Sequence, residues 1–187
     1  MQVKVMLSNH HIHLTQEMVD RLFGEKGITF RNYLAGDGGP YATNEFVDLE
    51  GPKGKITHIR VLGPCRNYNQ AEILKSDCFK LGVDAPVSSS GKTENAVMLK
   101  VIGPCGEAEI PCGILAQRHI HMDKETAEQN GFVRGQTVKV KSRGIRAITF
   151  ENVLVTVGGK GMVMHVDTEE GNAALIKNGD MVEILSE

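Results

Sequence analysis

The chain has 187 residues, 41% of them hydrophobic and 24% charged, which suits one large domain or two small ones with a real core and no need of disulfide staples. A formal net charge of -2 and a pI near 6.4 argue against a general nucleic-acid or membrane-surface binder. No apolar stretch approaches the about 20 residues of a membrane span.

In chain order, Met1 leads straight into a strand-like run at 3–7, with no secretory signal visible. His11-Ile12-His13-Leu14 follows, and Thr15 is a natural N-cap for a helix over Gln16–Phe23, with Gly24 as its stop. Short β-branched runs separated by glycines predict strands at 56–62, 96–102, 137–140, 145–149, 153–157, 162–166 and 181–185. Residues 85–94, rich in Ser, Gly and Pro, are the best linker candidate. His119-Ile120-His121-Met122 precedes a second helix at Lys124–Gln129, capped by Asp123. A third spans 169–177, capped by Asp167 or Thr168 and ended by Asn178-Gly179. Many short strands with glycine-rich turns point to barrels or sandwiches. With Trp absent and aromatics at 5%, the core must be built from Val, Ile, Leu and Met.

The chain also echoes itself. A His-x-His strand and a capped short helix occur at 11 and again at 119, and Gly63-Pro64-Cys65 resembles Gly103-Pro104-Cys105. These are not array repeats; they suggest two related halves, 1–90 and 91–187, with strands exchanged between them.

Residues i and i+2 of a strand share a face, so each His-x-His can chelate one metal without backbone strain. One such pair is a weak signal; two in matching contexts, using four of the seven histidines, are a stronger one. His165 is a natural candidate for a third ligand with His119 and His121, as a catalytic zinc keeps three protein ligands and one open position; taken alone, it reads rather as packing at a strand end. Arg66 and Glu72 stand six residues apart, an even spacing that an extended segment would aim one way. They read as a phosphate fork beside an oxygen ligand or a partner for a histidine, or else as a surface ion pair. Cys65, Cys78, Cys105 and Cys112 form no C-x-x-C pair, so zinc-ribbon and thioredoxin readings gain nothing. No base is identifiable for a cysteine nucleophile, and buried free cysteines are often simple small hydrophobes. His10 and His58 read as structural or peripheral. The whole is read as a cytosolic protein with reduced thiols.

These motifs, taken in order, resemble the PduL-type phosphate acyltransferases, the phosphate propanoyltransferases of propanediol utilisation. The matching segments begin with Ser8-Asn9-His10-His11-Ile12-His13-Leu14 and Asp48-Leu49-Glu50-Gly51-Pro52-Lys53-Gly54. They continue with Val61-Leu62-Gly63-Pro64-Cys65-Arg66, Gln70-Ala71-Glu72 and Leu81-Gly82-Val83-Asp84-Ala85-Pro86-Val87. Arg118-His119-Ile120-His121-Met122, Met164-His165-Val166-Asp167-Thr168 and Asn172-Ala173 complete the set, so the resemblance covers nearly the whole chain.

The resemblance implies a mainly β protein of two similar small β-barrel domains with short capping helices, packed around a shared site with two zinc ions. His11 and His13 with Glu72 would hold one metal, and His119, His121 and His165 the other, the division of Glu72 between them being open. Arg66 would bind phosphate. The implied reaction is reversible transfer of an acetyl or propanoyl group between coenzyme A and phosphate, with a homodimer unsurprising. Two departures stand out: His10 occupies a position usually Arg, and Ser88, Ser89 and Ser90 precede Gly91 where an Arg is usual. They motivate two alternatives, a zinc-dependent CoA-thioester hydrolase and a non-catalytic metal-binding or assembly paralogue. The first histidine pair lies too near Met1 for a microcompartment encapsulation extension, which favours a cytoplasmic role. Acyl-chain length, metal identity and physiological direction stay open.

Overall fold

The structure, a computed structural model, describes residues 1–34, 39–159 and 161–185. In chain order the elements are β1 (Gln2–Ser8), β2 (His11–His13), α1 (Gln16–Phe23), β3 (Phe30–Tyr33), β4 (Tyr41–Glu50), β5 (Lys55–Gly63), β6 (Gln70–Glu72) and α2 (Lys75–Leu81). Then come β7 (Val87–Ser88), β8 (Val97–Ile102), β9 (Glu107–Ala116), β10 (His119–Met122), α3 (Lys124–Gln129), β11 (Thr137–Lys141), β12 (Thr149–Val157), β13 (Met162–Asp167), α4 (Thr168–Ala174) and β14 (Met181–Ile184). Among the described residues, no helix is long and apolar enough to cross a membrane.

Two compact units result: His10–Ala116, and Met1–Asn9 joined with Gln117–Glu187. In the first, β2 pairs parallel with β5 and antiparallel with β6. Strand β6 runs parallel to β9, β9 antiparallel to β8, β8 to β4, and β4 to β5. This ring of six strands closes; β3 and β7 extend it outside, on β4 and β9. In the second unit, β10 pairs parallel with β12 and antiparallel with β13. Strand β13 runs parallel to β1, β1 antiparallel to β14, β14 to β11, and β11 to β12.

The two rings have one connectivity, with β2, β4, β5, β6, β8 and β9 answering to β10, β11, β12, β13, β14 and β1. The sixth strand of the second ring comes from the N-terminus of the chain. A division at residues 90 and 91 is therefore not where the compact units part. That point lies between β7 and β8, in the middle of a ring, and the break falls between Ala116 and Gln117. A closed ring cannot lose β8 and β9 without exposing two edges of unpaired backbone groups. For the same reason residues 85–94 are no linker: β7 sits within them and pairs with β9.

Each ring encloses its own apolar core. One gathers Ile12, Leu14, Val19, Leu22, Ile59, Val61, Leu99 and Ile114; the other gathers Val3, Val5, Ile120, Met122, Val153, Met164 and Val182. Alternation turns the strand residues among these inward and their neighbours outward, while Val19 and Leu22 come from α1.

The helices α1 and α3 form where their caps predict. Thr15 Oγ1 accepts from the Met18 N–H at 3.2 Å, and Asp123 Oδ1 accepts from the Thr126 N–H at 2.8 Å. Gly24, at φ 62°, ends α1. Helix α4 starts at Thr168 rather than 169 and ends at Ala174 rather than 177, with Asp167 as its cap. Helix α2 has no counterpart in the sequence reading. Its N-cap position is Leu74, which carries no acceptor, and the Asp77 carboxylate instead reaches back to the Leu74 N–H at 3.1 Å. Of the run 145–149 only Thr149 is strand, where β12 begins; 145–146 form a turn and 147–148 are irregular.

The glycine-proline repeat also resolves differently. Gly51-Pro52-Lys53-Gly54 and Gly103-Pro104-Cys105-Gly106 are the equivalent turns, closing β4–β5 and β8–β9. In each, the first glycine N–H bonds the fourth residue's carbonyl at 2.9 Å. The third residue's N–H donates to a helix-end carbonyl at 3.0 Å, Leu81 of α2 or Leu22 of α1. A Cβ on Gly103 would stand 2.5 Å from the Leu22 oxygen, so only glycine lets this turn approach the helix. Gly63-Pro64-Cys65 instead follows β5 and closes no hairpin.

Candidate metal and phosphate site

In the unit His10–Ala116, β2 lies between β5 and β6. Ile12 points into the core, so His11 and His13 share the opposite face, yet they are only 9% and 6% exposed. The register sets His11 against Glu72 and His13 against Gln70. His11 Nε2 lies 3.5 Å from Glu72 Oε2, and the two imidazoles stand edge to face with centroids 5.1 Å apart. One ligand atom from each of His11, His13 and Glu72 falls within 4.8 Å of the others.

In the other unit the same register holds, with His119 opposite His165 across β10 and β13. The His119 and His165 rings stack at 5.0 Å, and His121 stands edge-on to both. Their ligand atoms also gather within 4.8 Å. In both barrels, then, the third side chain faces the first histidine of the pair from the antiparallel neighbour. Glu72 and His165 occupy equivalent places.

The hydrogen bonds around His119 and His121 fix which ring nitrogens carry protons. The Gln117 carbonyl can only accept, so His119 Nδ1–H donates to it at 2.9 Å. The Thr156 hydroxyl donates to the Ile120 carbonyl at 3.0 Å, so its oxygen accepts from His121 Nδ1–H at 2.9 Å. Both Nε2 atoms are then bare lone pairs, and they face one another 3.2 Å apart. Two lone pairs at that distance repel unless a cation or a proton lies between them. Burial and neighbouring His119 hold His121 below the ordinary histidine range, which disfavours the proton and leaves a metal ion as the fitting occupant.

The first cluster passes a different test. His13 Nδ1 is buried and makes no well-formed hydrogen bond among the described residues, with only the Leu62 backbone near enough to act on it, an arrangement that costs free energy unless something binds there. Burial, then the neighbouring His11 and Arg66, push the His13 pKa down to about 3, so the ring is neutral and ready to ligate. Where the second barrel has Thr156 opposite His121, the first has Leu62 opposite His13, which offers no hydroxyl.

Arg66 lies in the loop between β5 and β6, its N–H bonded to the Leu14 carbonyl at 2.8 Å. Residues 64–69 are not extended, so the parity of the Arg66–Glu72 spacing has no strand to act through. Arg66 nonetheless reaches the cluster, since its charge is felt at His13, and its Nε is a buried donor with no partner. Arg66 thus forms no ion pair with Glu72 among the described residues, and its buried Nε is a donor that could take an anion.

Three neighbours went unrecognised in the sequence. Gln70 is fully buried; its amide N–H donates to Glu72 Oε1 at 2.9 Å and its carbonyl accepts from the Gly91 N–H at 2.7 Å. Thr156 anchors His121. Buried Asp77 accepts from His10 Nδ1 at 2.9 Å. Only Gln70, inside the Gln70-Ala71-Glu72 motif, left any trace in the sequence. His58 is indeed peripheral, stacked on Phe46 at 3.6 Å, and the four cysteines are unbridged.

Two closed six-stranded barrels, each carrying a group of His or His and Glu side chains that could hold a metal ion, mark a small two-barrel β protein with two candidate metal sites. The profile of the phosphate propanoyltransferase family matches residues 4–177. A phosphate propanoyltransferase of Rhodopseudomonas palustris is 40% identical over 185 residues, which span 98% of this chain and 82% of that protein. One of Thermotoga maritima is 41% identical over 184 residues, 97% and 88% of the two chains. One of Levilactobacillus brevis is 37% identical over 186 residues, 98% and 89%. The chain belongs to the phosphate propanoyltransferase family.

Proposed function

We propose that this phosphate acyltransferase is zinc-dependent and moves short acyl groups, acetyl or propanoyl, reversibly between coenzyme A and phosphate. The observation that carries the reading is the repeated triad. His11, His13 and Glu72 in one barrel, and His119, His121 and His165 in the other, present ligand atoms from equivalent strands. Family membership supports the acyl transfer and the substrates. The neutral His13, whose buried Nδ1 lacks a well-formed hydrogen bond among the described residues, and the facing Nε2 atoms of His119 and His121 support the metal. Three-ligand sites of imidazole and carboxylate suit zinc and leave a position open.

In this reading Arg66 takes a phosphate oxygen on its unpartnered Nε and holds the anion beside His13, in line for attack. A phosphate oxygen adds to the thioester carbonyl carbon, the carbon–sulfur bond breaks, and coenzyme A departs as thiolate. Zinc, when bound, supplies Lewis acidity for the carbonyl oxygen and the leaving sulfur. Burial of His11 and His13 keeps water from that face, which favours transfer to phosphate over hydrolysis.

Thiol release from acetyl- and propanoyl-CoA, with and without phosphate, tests the proposal together with metal analysis. Phosphate-dependent release by a zinc-loaded protein is expected. Phosphate-independent release would make it a hydrolase, and bound zinc without release a non-catalytic paralogue. Full turnover after the metal is stripped would remove zinc from the account.

A further inference from the structure

We infer that Gln70 is a positioning residue that selects which oxygen of Glu72 faces the metal and ties that choice to the Ser90–Gly91 turn; this rests on the metal reading above. The side chain is fully buried, and its amide orientation follows from its partners. The Gly91 N–H can only donate, so Gln70 Oε1 must face it, at 2.7 Å. The Glu72 carboxylate can only accept, so Gln70 Nε2 must face it, at 2.9 Å. The same Nε2 lies 3.4 Å from Ser90 Oγ, which in turn meets the Tyr68 hydroxyl at 3.3 Å.

The consequence falls on Glu72. Its Oε1 is engaged by the amide, and its Oε2 is the atom nearest His11. A carboxylate so held favours Oε2 over Oε1 as the oxygen offered to an ion shared with His11 and His13. Glu72 is half-buried and its other polar contact is the longer one to His11, at 3.5 Å, so without Gln70 it could rotate or chelate through both oxygens. The register explains why Gln70 is the residue for this work. It lies opposite His13 on β2, two residues from Glu72 on β6, and therefore on the same face as both. Because one amide holds both Glu72 and Gly91, an ion that draws on Glu72 also restrains the turn that carries Ser90.

Two measurements test this. In the wild type, amide exchange at Gly91 is followed with and without one equivalent of zinc per cluster; slower exchange with zinc is expected. Gln70→Leu keeps the bulk and loses both hydrogen bonds. It is expected to weaken zinc binding at one of two sites by about 10- to 100-fold, as loss of a ligand's supporting partner does, and to make Gly91 exchange indifferent to zinc. Zinc affinity within twofold of the wild type in Gln70→Leu would overturn the inference, as would Gly91 exchange in the wild type that ignores bound zinc. The second result needs no variant and stands even if Gln70→Leu fails to fold. A wild type that binds no zinc at all would instead overturn the metal reading itself.

Discussion

Replacing Thr156 with valine changes almost no volume and removes one hydroxyl that makes two hydrogen bonds. It donates to the Ile120 carbonyl and accepts from His121 Nδ1–H, at 3.0 and 2.9 Å. The first bond concerns stability. A lost hydrogen bond of this kind costs about 1 kcal/mol, or a Tm roughly 2–4 °C lower for a chain of this size. The second concerns the metal. Without Thr156, His121 loses the partner that keeps its proton on Nδ1, and the Nε2 lone pair facing His119 is no longer assured. Loss of such a partner costs about 10- to 100-fold in metal affinity. His121 sits among other side chains yet keeps part of its surface in solvent, so water can take over part of the role, which argues for the lower end. The expected loss is about tenfold, or about 1.4 kcal/mol. Competition against a zinc chelator reads it directly, and only one of two zinc equivalents should weaken. Unchanged affinity at both equivalents would refute the tautomer argument, and with it the case for a cation between the facing lone pairs.

Arg66→Ala should raise the phosphate KM by roughly 10- to 100-fold, the range for losing charge-assisted hydrogen bonds. Its zinc content should stay unchanged; a normal phosphate dependence would deny Arg66 its role. Asp77→Asn tests acid stability. Burial works against the Asp77 carboxylate, but the His10 and Leu74 donors prevail and hold its pKa below the ordinary value. Its contribution is therefore present above the unfolded pKa of about 3.9 and disappears as pH falls through the lowered folded value. The variant should be less stable by about 2 kcal/mol at neutral pH, and the gap should close in acid; a gap independent of pH would contradict the assignment. Alkylation of the native protein should label exposed Cys105 first. Burial pushes the Cys112 thiol up to about 12, and Cys78 is also buried; peptide mapping that finds Cys112 labelled early would contradict its burial.

Much of the local structure was legible before any coordinates. Thr15 with Gly24, and Asp123, bracket helices whose bounds match those read from the sequence. The doubled His-x-His marks equivalent strands of two barrels with one connectivity. These signals act over a few residues: a cap satisfies an N–H three positions away, and alternation along a strand needs no partner. Helix α2 escaped because its stabilising carboxylate lies inside the helix, at Asp77, behind a leucine cap position.

Only the tertiary structure decided what depends on pairing between distant strands. That β1 closes the barrel of residues 117–187, that Glu72 meets His11, and that Gln70 reaches both Glu72 and Gly91 are matters of register. A shift of one residue between β2 and β6 would turn Glu72 to the core and leave the local sequence pattern unchanged. The sequence by itself determined the types of the candidate ligands and the faces they occupy; the closure of each ring decided which of them meet.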